Sequence, residues 1–304
     1  MDGTGQKVSV IIPTYKRRPN YLSRAIKSVE SQTYQNIEII VVDDNNPDSE
    51  YRREIREFMR QYEGSPNIVY IENPRNMGGS LARNNGIDRA TGDYITFLDD
   101  DDEYLPKKVE RQLEFMLQNG YDMSFTDLKL VGNLAVDYRE FRFLKSFDRD
   151  TLLKAHLMRH LTGTPTFMYK TEKLRQIGGF EDVKMGQEFY LMLRTIESGL
   201  KVGYLAECHV IAHRHGDGGI SHGTNKINGE REIYRFKKKY FSIFTIRERM
   251  FIRFRHFAVM TVAYIRNENY FKAFVCGIAM FFVSPVDFVK EVSWFIIKNI
   301  RARG

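Results

Sequence analysis

Short apolar runs rich in β-branched residues punctuate the first hundred residues: KVSVIIP at 7–13, NIEIIVV at 36–42, NIVYIE at 67–72 and DYITFL at 93–98. Continuous runs of this length predict strands buried on both faces, as in a parallel sheet. Between them, apolar residues recur at three to four positions over 21–32, 49–62 and 80–90, which predicts helices. Strand and helix in alternation imply right-handed βαβ units in a layered α/β fold. Ligands of such sheets bind outside the carboxyl ends of the strands, so the polar residues that close each run are the first candidates for chemistry.

Those ends are acidic. The second run closes on Asp43-Asp44-Asn45-Asn46, and the fourth on Asp99-Asp100-Asp101-Asp102-Glu103. Five adjacent carboxylates repel one another, with only partial screening at a strand tip. A divalent cation relieves that repulsion, and oxygen ligands suit Mg²⁺ or Mn²⁺, which bridges one or two carboxylates to substrate phosphates. The competing reading is a solvated acidic turn, or caps for a helix starting near Pro106, and Asp43 and Asp44 could equally cap the helix after them.

Four ordered motifs carry a resemblance: VSVIIPTY at 8–15, VVDD at 41–44, NMGGSLARNNG at 76–86 and FLDDDD at 97–102. In residues and spacing they resemble family 2 glycosyltransferases, over about residues 7–222. The resemblance implies a GT-A fold, a nucleotide-sugar donor, a divalent metal (Mn²⁺ or Mg²⁺) and inversion at the anomeric carbon. It places Pro13 and Thr14 in the nucleotide pocket and matches Asp44 to the carboxylate that reads the uracil N3–H. Arg83 would contact the nucleotide or its phosphates, Asp99 would face the ribose or sugar and Asp101 would hold the metal, while Asp100, counted with the donor-binding residues, and Asp102 could support these from behind or cap the next helix. The stretch from Gly178 to Arg194 resembles the segment that ends in an acidic pair opening a helix. Here the pair is Gln187-Glu188, which makes Glu188 the expected base for the acceptor hydroxyl, with Asp182 as competitor. Ahead of Ile220-Ser221, His215 matches the histidine that joins the metal or diphosphate, with His213 second and Arg214 a possible phosphate contact. Glycines at 216–223 suggest a lid that orders on donor binding.

The expected fold class is thus α/β, a GT-A Rossmann-like mixed sheet flanked by helices, with a C-terminal helical, membrane-associating segment. The expected domains are a catalytic one at 1–228 (nucleotide-binding 7–106, acceptor-binding 107–228) and a basic aromatic tail at 229–304. The family's QxxRW signature of processive synthases is missing, which favours single addition to a cell-surface polysaccharide or its lipid-linked precursor. Two alternatives stand beside the UDP-sugar transferase: a sugar-phosphate nucleotidyltransferase and a non-catalytic nucleotide-sugar-binding partner. The loop Thr14-Tyr15-Lys16-Arg17-Arg18-Pro19 lacks the glycines the former would want.

Charge and composition separate the tail from the body. Residues 231–304 hold 15 Lys+Arg against 5 Asp+Glu and carry +10; the other 230 residues hold 31 against 34 and carry −3. Of 40 aromatics, 17 lie in that last stretch. Basic and aromatic residues interleaved at helical spacing predict a membrane-surface element, against a small helical or oligomerising domain or a nucleic-acid patch; no nucleic-acid module is recognisable. The apolar stretch 273–286 is short for a spanning helix. Two cysteines, no CxxC, and a start without a signal-peptide layout predict a reducing, cytoplasmic compartment, and the tail, with a lipid-linked acceptor, adds a peripheral place on the inner face of the cell membrane.

Overall fold

The four apolar runs are strands. A computed structural model describes residues 5–132, 136–161, 163–214 and 223–290. In it β1 (Val8–Thr14), β2 (Ile37–Asp43), β3 (Ile68–Glu72) and β4 (Tyr94–Phe97) are separated by α1 (Pro19–Glu30), α2 (Glu50–Met59) and α3 (Gly79–Arg89). Next come β5 (Glu103–Tyr104), α4 (Lys108–Asn119), β6 (Met123–Val131), β7 (Val136–Arg139) and α5 (Arg149–Arg159). They are followed by β8 (Met168–Lys170), α6 (Thr171–Gln176), α7 (Gln187–Glu197) and β9 (Val202–His213), then by α8 (Gly223–Lys238), α9 (Ile246–Arg266) and α10 (Tyr270–Val283).

Two compact units divide these elements. The first takes in the chain up to 149, 161–183 and 187–214; the second takes 150–160, 184–186 and the chain after 214.

In the first unit the described strands form one nine-stranded sheet in the order β3-β2-β1-β4-β8-β6-β9-β5, with β7 beside β6. The four strands β3 to β4 are parallel, as the βαβ pattern requires. Beyond β4 the sheet is mixed: β8 runs antiparallel to β4 and β6, and β9 parallel to β6. All seven residues of β2 are buried, because β1 and β3 flank it and helices cover its faces. Strand β3 departs from the expectation of full burial; Ile68 to Ile71 are only half-buried and Glu72 is exposed, since it is an edge of the sheet. Helix α1 opens with Pro19 in its first turn and buries Leu22, Ala25, Ile26 and Val29 at helical spacing. Helix α3 approaches β1 so closely that a Cβ on Gly86 would lie 2.5 Å from Ile11 Cγ2, so no larger residue fits there without displacement.

The second unit has a small core of its own, Ile227 of α8, Met260, Ala263 and Tyr264 of α9 and Ala273 of α10, with Cys276 packed against it. A capping box between Thr245 and Glu248 starts α9. Polar pairs tie α8 to α9: Arg231 donates to Tyr264 Oη at 2.7 Å, and His256 Nδ1 lies 2.9 Å from Glu230 Oε1. Helix α10 has 14 residues, and no helix among the described residues is long and apolar enough to cross a membrane.

Candidate active site

Register brings the polar strand ends together. Strand β1 lies between β2 and β4, with Thr14 opposite Asp43 and Ile11 opposite Phe97. The residues after Phe97 therefore rise beside the end of β1. Pairing with β4 stops short of Pro13, so its missing N–H leaves no gap in that ladder. Thr14 Oγ1 donates to Asp100 Oδ2 at 2.7 Å, and Asp44 N donates to Thr14 O at 2.9 Å. Three strand ends are thereby joined within one edge.

Asp44 shapes the loop ahead of α3. Its carboxylate accepts from Asn73 Nδ2 at 2.7 Å and from the backbone N–H groups of Met77 and Gly78, each at 2.8 Å. With three donors engaged, a carboxylate retains roughly one acceptor position. Beneath it, Arg52 is buried and reaches Asp43 Oδ2 at 3.0 Å and Asn73 O at 2.8 Å. Burial pushes the Asp43 carboxyl up, against hydrogen bonds from Asn45 and from Tyr70 Oη at 2.7 Å.

The acidic run alternates in exposure: Asp100 and Asp102 are buried, Asp99 and Asp101 half-buried. Asp100 is pushed up to about 7, first by burial and then by repulsion from Asp101, with the Thr14 hydrogen bond and Arg17 opposing. Asp102 is raised well above the carboxylate range, by burial and then by Asp99 and Asp101. The repulsion anticipated from five adjacent acids is therefore present, and guanidinium groups answer it from three elements. Arg17, in the loop after β1, pairs with Asp101 and lies 3.6 Å from Asp100 Oδ1. Arg24 of α1 donates to the Asp101 carbonyl at 2.5 Å. Arg83 of α3 donates to Asp99 Oδ1 at 2.5 Å and to Gln187 Oε1 at 2.8 Å, with its guanidinium over the Phe180 ring. The His213 backbone N–H donates to Asp102 Oδ1 at 3.0 Å, and its Nε2 lies 2.7 Å from Glu103 Oε1.

Glu188 occupies the first turn of α7, half-buried and next to Gln187, so the Arg83–Gln187 bond sets that helix start against the acidic run. The turn that ends α6 supports it: Gly178 and Gly179 adopt positive φ, and Asn84 exchanges two 2.8 Å hydrogen bonds with the Phe180 backbone. Asp182 is exposed. Arg214 reaches Asp137 at 3.9 Å. His215 and the glycines of the expected lid up to Ser221 and His222 lie outside the described residues.

Among the described residues no group of three or more His, Cys, Asp or Glu side chains is arranged to hold a metal ion. The donor set suits a cation in shared form only: Asp101, half-buried at the mouth of an over-acidic run, can supply one carboxylate while substrate phosphates complete the shell.

Three positioning residues escaped the sequence reading. Arg17 and Arg24 sit in a basic stretch whose only signal was its proximity to a strand end. Lys108 is fully buried, donates to Thr96 Oγ1, lies 4.3 Å from the Tyr104 ring centroid, and has its ammonium pKa driven down by burial. Tyr104 Oη in turn donates to the Phe97 carbonyl, which braces the end of β4 from below.

The "Glycosyl transferase family 2" model matches residues 9–178. The putative teichuronic acid biosynthesis glycosyltransferase TuaG of Bacillus subtilis is 32% identical over 205 residues, 66% of this chain and 76% of that protein. The GalNAc(5)-diNAcBac-PP-undecaprenol beta-1,3-glucosyltransferase of Campylobacter jejuni is 31% identical over 189 residues, 60% of this chain and 56% of that one. The crystal structure of S. aureus TarS 1–349 in complex with UDP-GlcNAc matches with a TM-score of 0.61 at 16% identity, covering 91% of each chain. That likeness shows the fold, and the expected GT-A architecture is the one found. With the family model spanning more than half of the chain, the protein belongs to glycosyltransferase family 2 and is a sugar transferase.

Proposed function

We propose that the chain moves a sugar from a UDP-sugar to a hydroxyl of a saccharide or lipid-linked saccharide acceptor, with inversion, in a single displacement. The observation that carries this is the convergence of Asp44, Arg83, Asp99 and Asp101 at the carboxyl ends of the central strands. TarS binding UDP-GlcNAc supports a nucleotide-sugar donor. Asp44, with one acceptor position left, takes the uracil N3–H; a base without that donor leaves the carboxylate unpaired. Pro13 and Thr14 line the nucleotide, and Asp99 and Asp100 flank the ribose and sugar. Arg83, already charged and desolvated on one side by Phe180, supplies hydrogen bonds to the phosphates. Asp101 would hold Mn²⁺ or Mg²⁺, and His215, which lies outside the described residues, is the second ligand that the family resemblance implies. When bound, that cation neutralises the charge that develops on departing UDP. Glu188 accepts the proton of the attacking hydroxyl, and no covalent protein nucleophile is needed. A lipid-linked acceptor would bring the chain to the cytoplasmic surface of a membrane, and the basic helical unit is the part suited to it.

Calorimetry with UDP and Mn²⁺, paired with a sugar-transfer assay, tests this reading. Asp101→Ala is expected to remove the cation dependence of UDP binding. Glu188→Gln is expected to keep UDP affinity and lower transfer by about 10²–10⁴-fold. Release of pyrophosphate in place of UDP, or UDP binding indifferent to Asp101→Ala, would overturn it.

A further inference from the structure

Helix α10 is apolar on both sides. Ala273 and Met280 face inward and are buried. On the outward side stand Phe271, Phe274, Val275, Ile278, Phe281 and Phe282, all exposed, Phe271 at 77% and Phe282 at 76%. Their spacing of three, four and seven places them on one stripe, and no charged residue interrupts it. A contiguous exposed apolar surface of this kind marks an interaction site. Fourteen residues span about 21 Å, short of the roughly 30 Å of a hydrocarbon core, so the helix has the length to lie in an interface and not to cross one.

The charge around the stripe selects its occupant. From Ile246 to Val283 six basic residues stand against Glu248 and Glu268 alone. Arg247 and Arg266 of α9 are exposed, and Lys272 is exposed on the flank of α10 itself. A second copy docking by two-fold symmetry would set this basic surface against itself, and like charges brought together oppose such a contact. Anionic lipid headgroups complement it instead.

We propose that α10 lies in the plane of an anionic lipid surface, with Phe271, Phe274, Ile278 and Phe282 entering the acyl boundary and the flanking arginines and lysine holding headgroups. The inference rests on the reading of the helical unit as membrane-facing and adds the inserting face and the lipid chemistry. The arrangement accounts for a helix whose solvent side is as apolar as its packed side, and it needs neither donor nor metal.

Sedimentation of the 304-residue chain with vesicles of phosphatidylcholine, with and without phosphatidylglycerol, tests it. Binding is expected only with phosphatidylglycerol, weakening as salt rises. The combined variant Phe271→Ser, Phe274→Ser and Phe282→Ser is expected to bind about tenfold or more weakly. These positions are exposed, and UDP calorimetry on the variant checks that the catalytic unit is intact. Equal vesicle binding by parent and variant would overturn the assignment of α10 while leaving a membrane-facing unit in place. No vesicle binding by the parent would overturn both, and concentration-dependent dimers abolished by the same substitutions would assign the stripe to a second copy. None of these outcomes bears on sugar transfer, which the donor assays above decide separately.

Discussion

Arg17 stands where two opposing demands meet. Its guanidinium compensates Asp101 and, at 3.6 Å, Asp100, a carboxyl already pushed up to about 7 by burial and by its neighbour. A cation arriving at Asp101 must share or displace it. Arg17→Ala is therefore expected to strengthen Mn²⁺ binding by the nucleotide-free chain roughly tenfold, the factor that about 1.4 kcal/mol of relieved competition provides. Titration of free Mn²⁺ by electron paramagnetic resonance reads this directly; unchanged or weaker binding would show that Arg17 and the cation do not compete. The same residue marks the limit of sequence reading. The acids declare themselves because five carboxylates after an apolar strand have no structural need to be adjacent. Arg17 meets Asp101 only because β1 and β4 are neighbours in the sheet, 84 residues apart in the chain, and no local pattern announces that.

At the scale of elements, legibility follows the sheet's own change of character. Strands β1, β2 and β4 are central and parallel, so they read as mainly apolar runs, interrupted in each by a single buried polar residue, Ser9, Glu38 or Thr96. Beyond β4, β6 carries Asp127 and Lys129 among apolar residues, and β8 has only three residues, too few for any period to emerge. Glu38 on β2 shows what such a buried strand asks of a charge. It is held by Lys7, Ser9 and Thr91, which keep its carboxyl at about 2 despite burial. A carboxyl depressed in the folded state stabilises fully above its unfolded value near 4.5, and that share disappears as pH falls from there toward 2. The share is worth roughly 3 kcal/mol at neutral pH. Glu38→Gln should lower the urea midpoint at pH 7 and flatten the acid limb of the stability curve between those values. A variant with an unaltered acid limb would assign that limb to other carboxylates.

Across the whole molecule, the chain divides into an α/β sheet unit and a helical unit, and the basic residues of α8, α9 and α10 fall in the second. Their boundary along the chain is not a single point, because the second unit also takes 150–160 and 184–186. Within it, half-buried His160 feels Lys226, Lys237 and Arg255, and a Cβ on Gly229 would come within 2.4 Å of Met185 Cβ. A chain ending at 228 keeps α5 and Met185 but loses Gly229, Lys237 and α9. It is expected to bind a hydrophobic dye and to self-associate in size-exclusion chromatography, whereas a monomer with the parent's melting temperature would contradict a shared unit. The interleaving has a hereditary consequence. One recombination crossover cannot graft the helical assembly onto another transferase of this kind, because a single junction carries over the tail without 150–160 and 184–186.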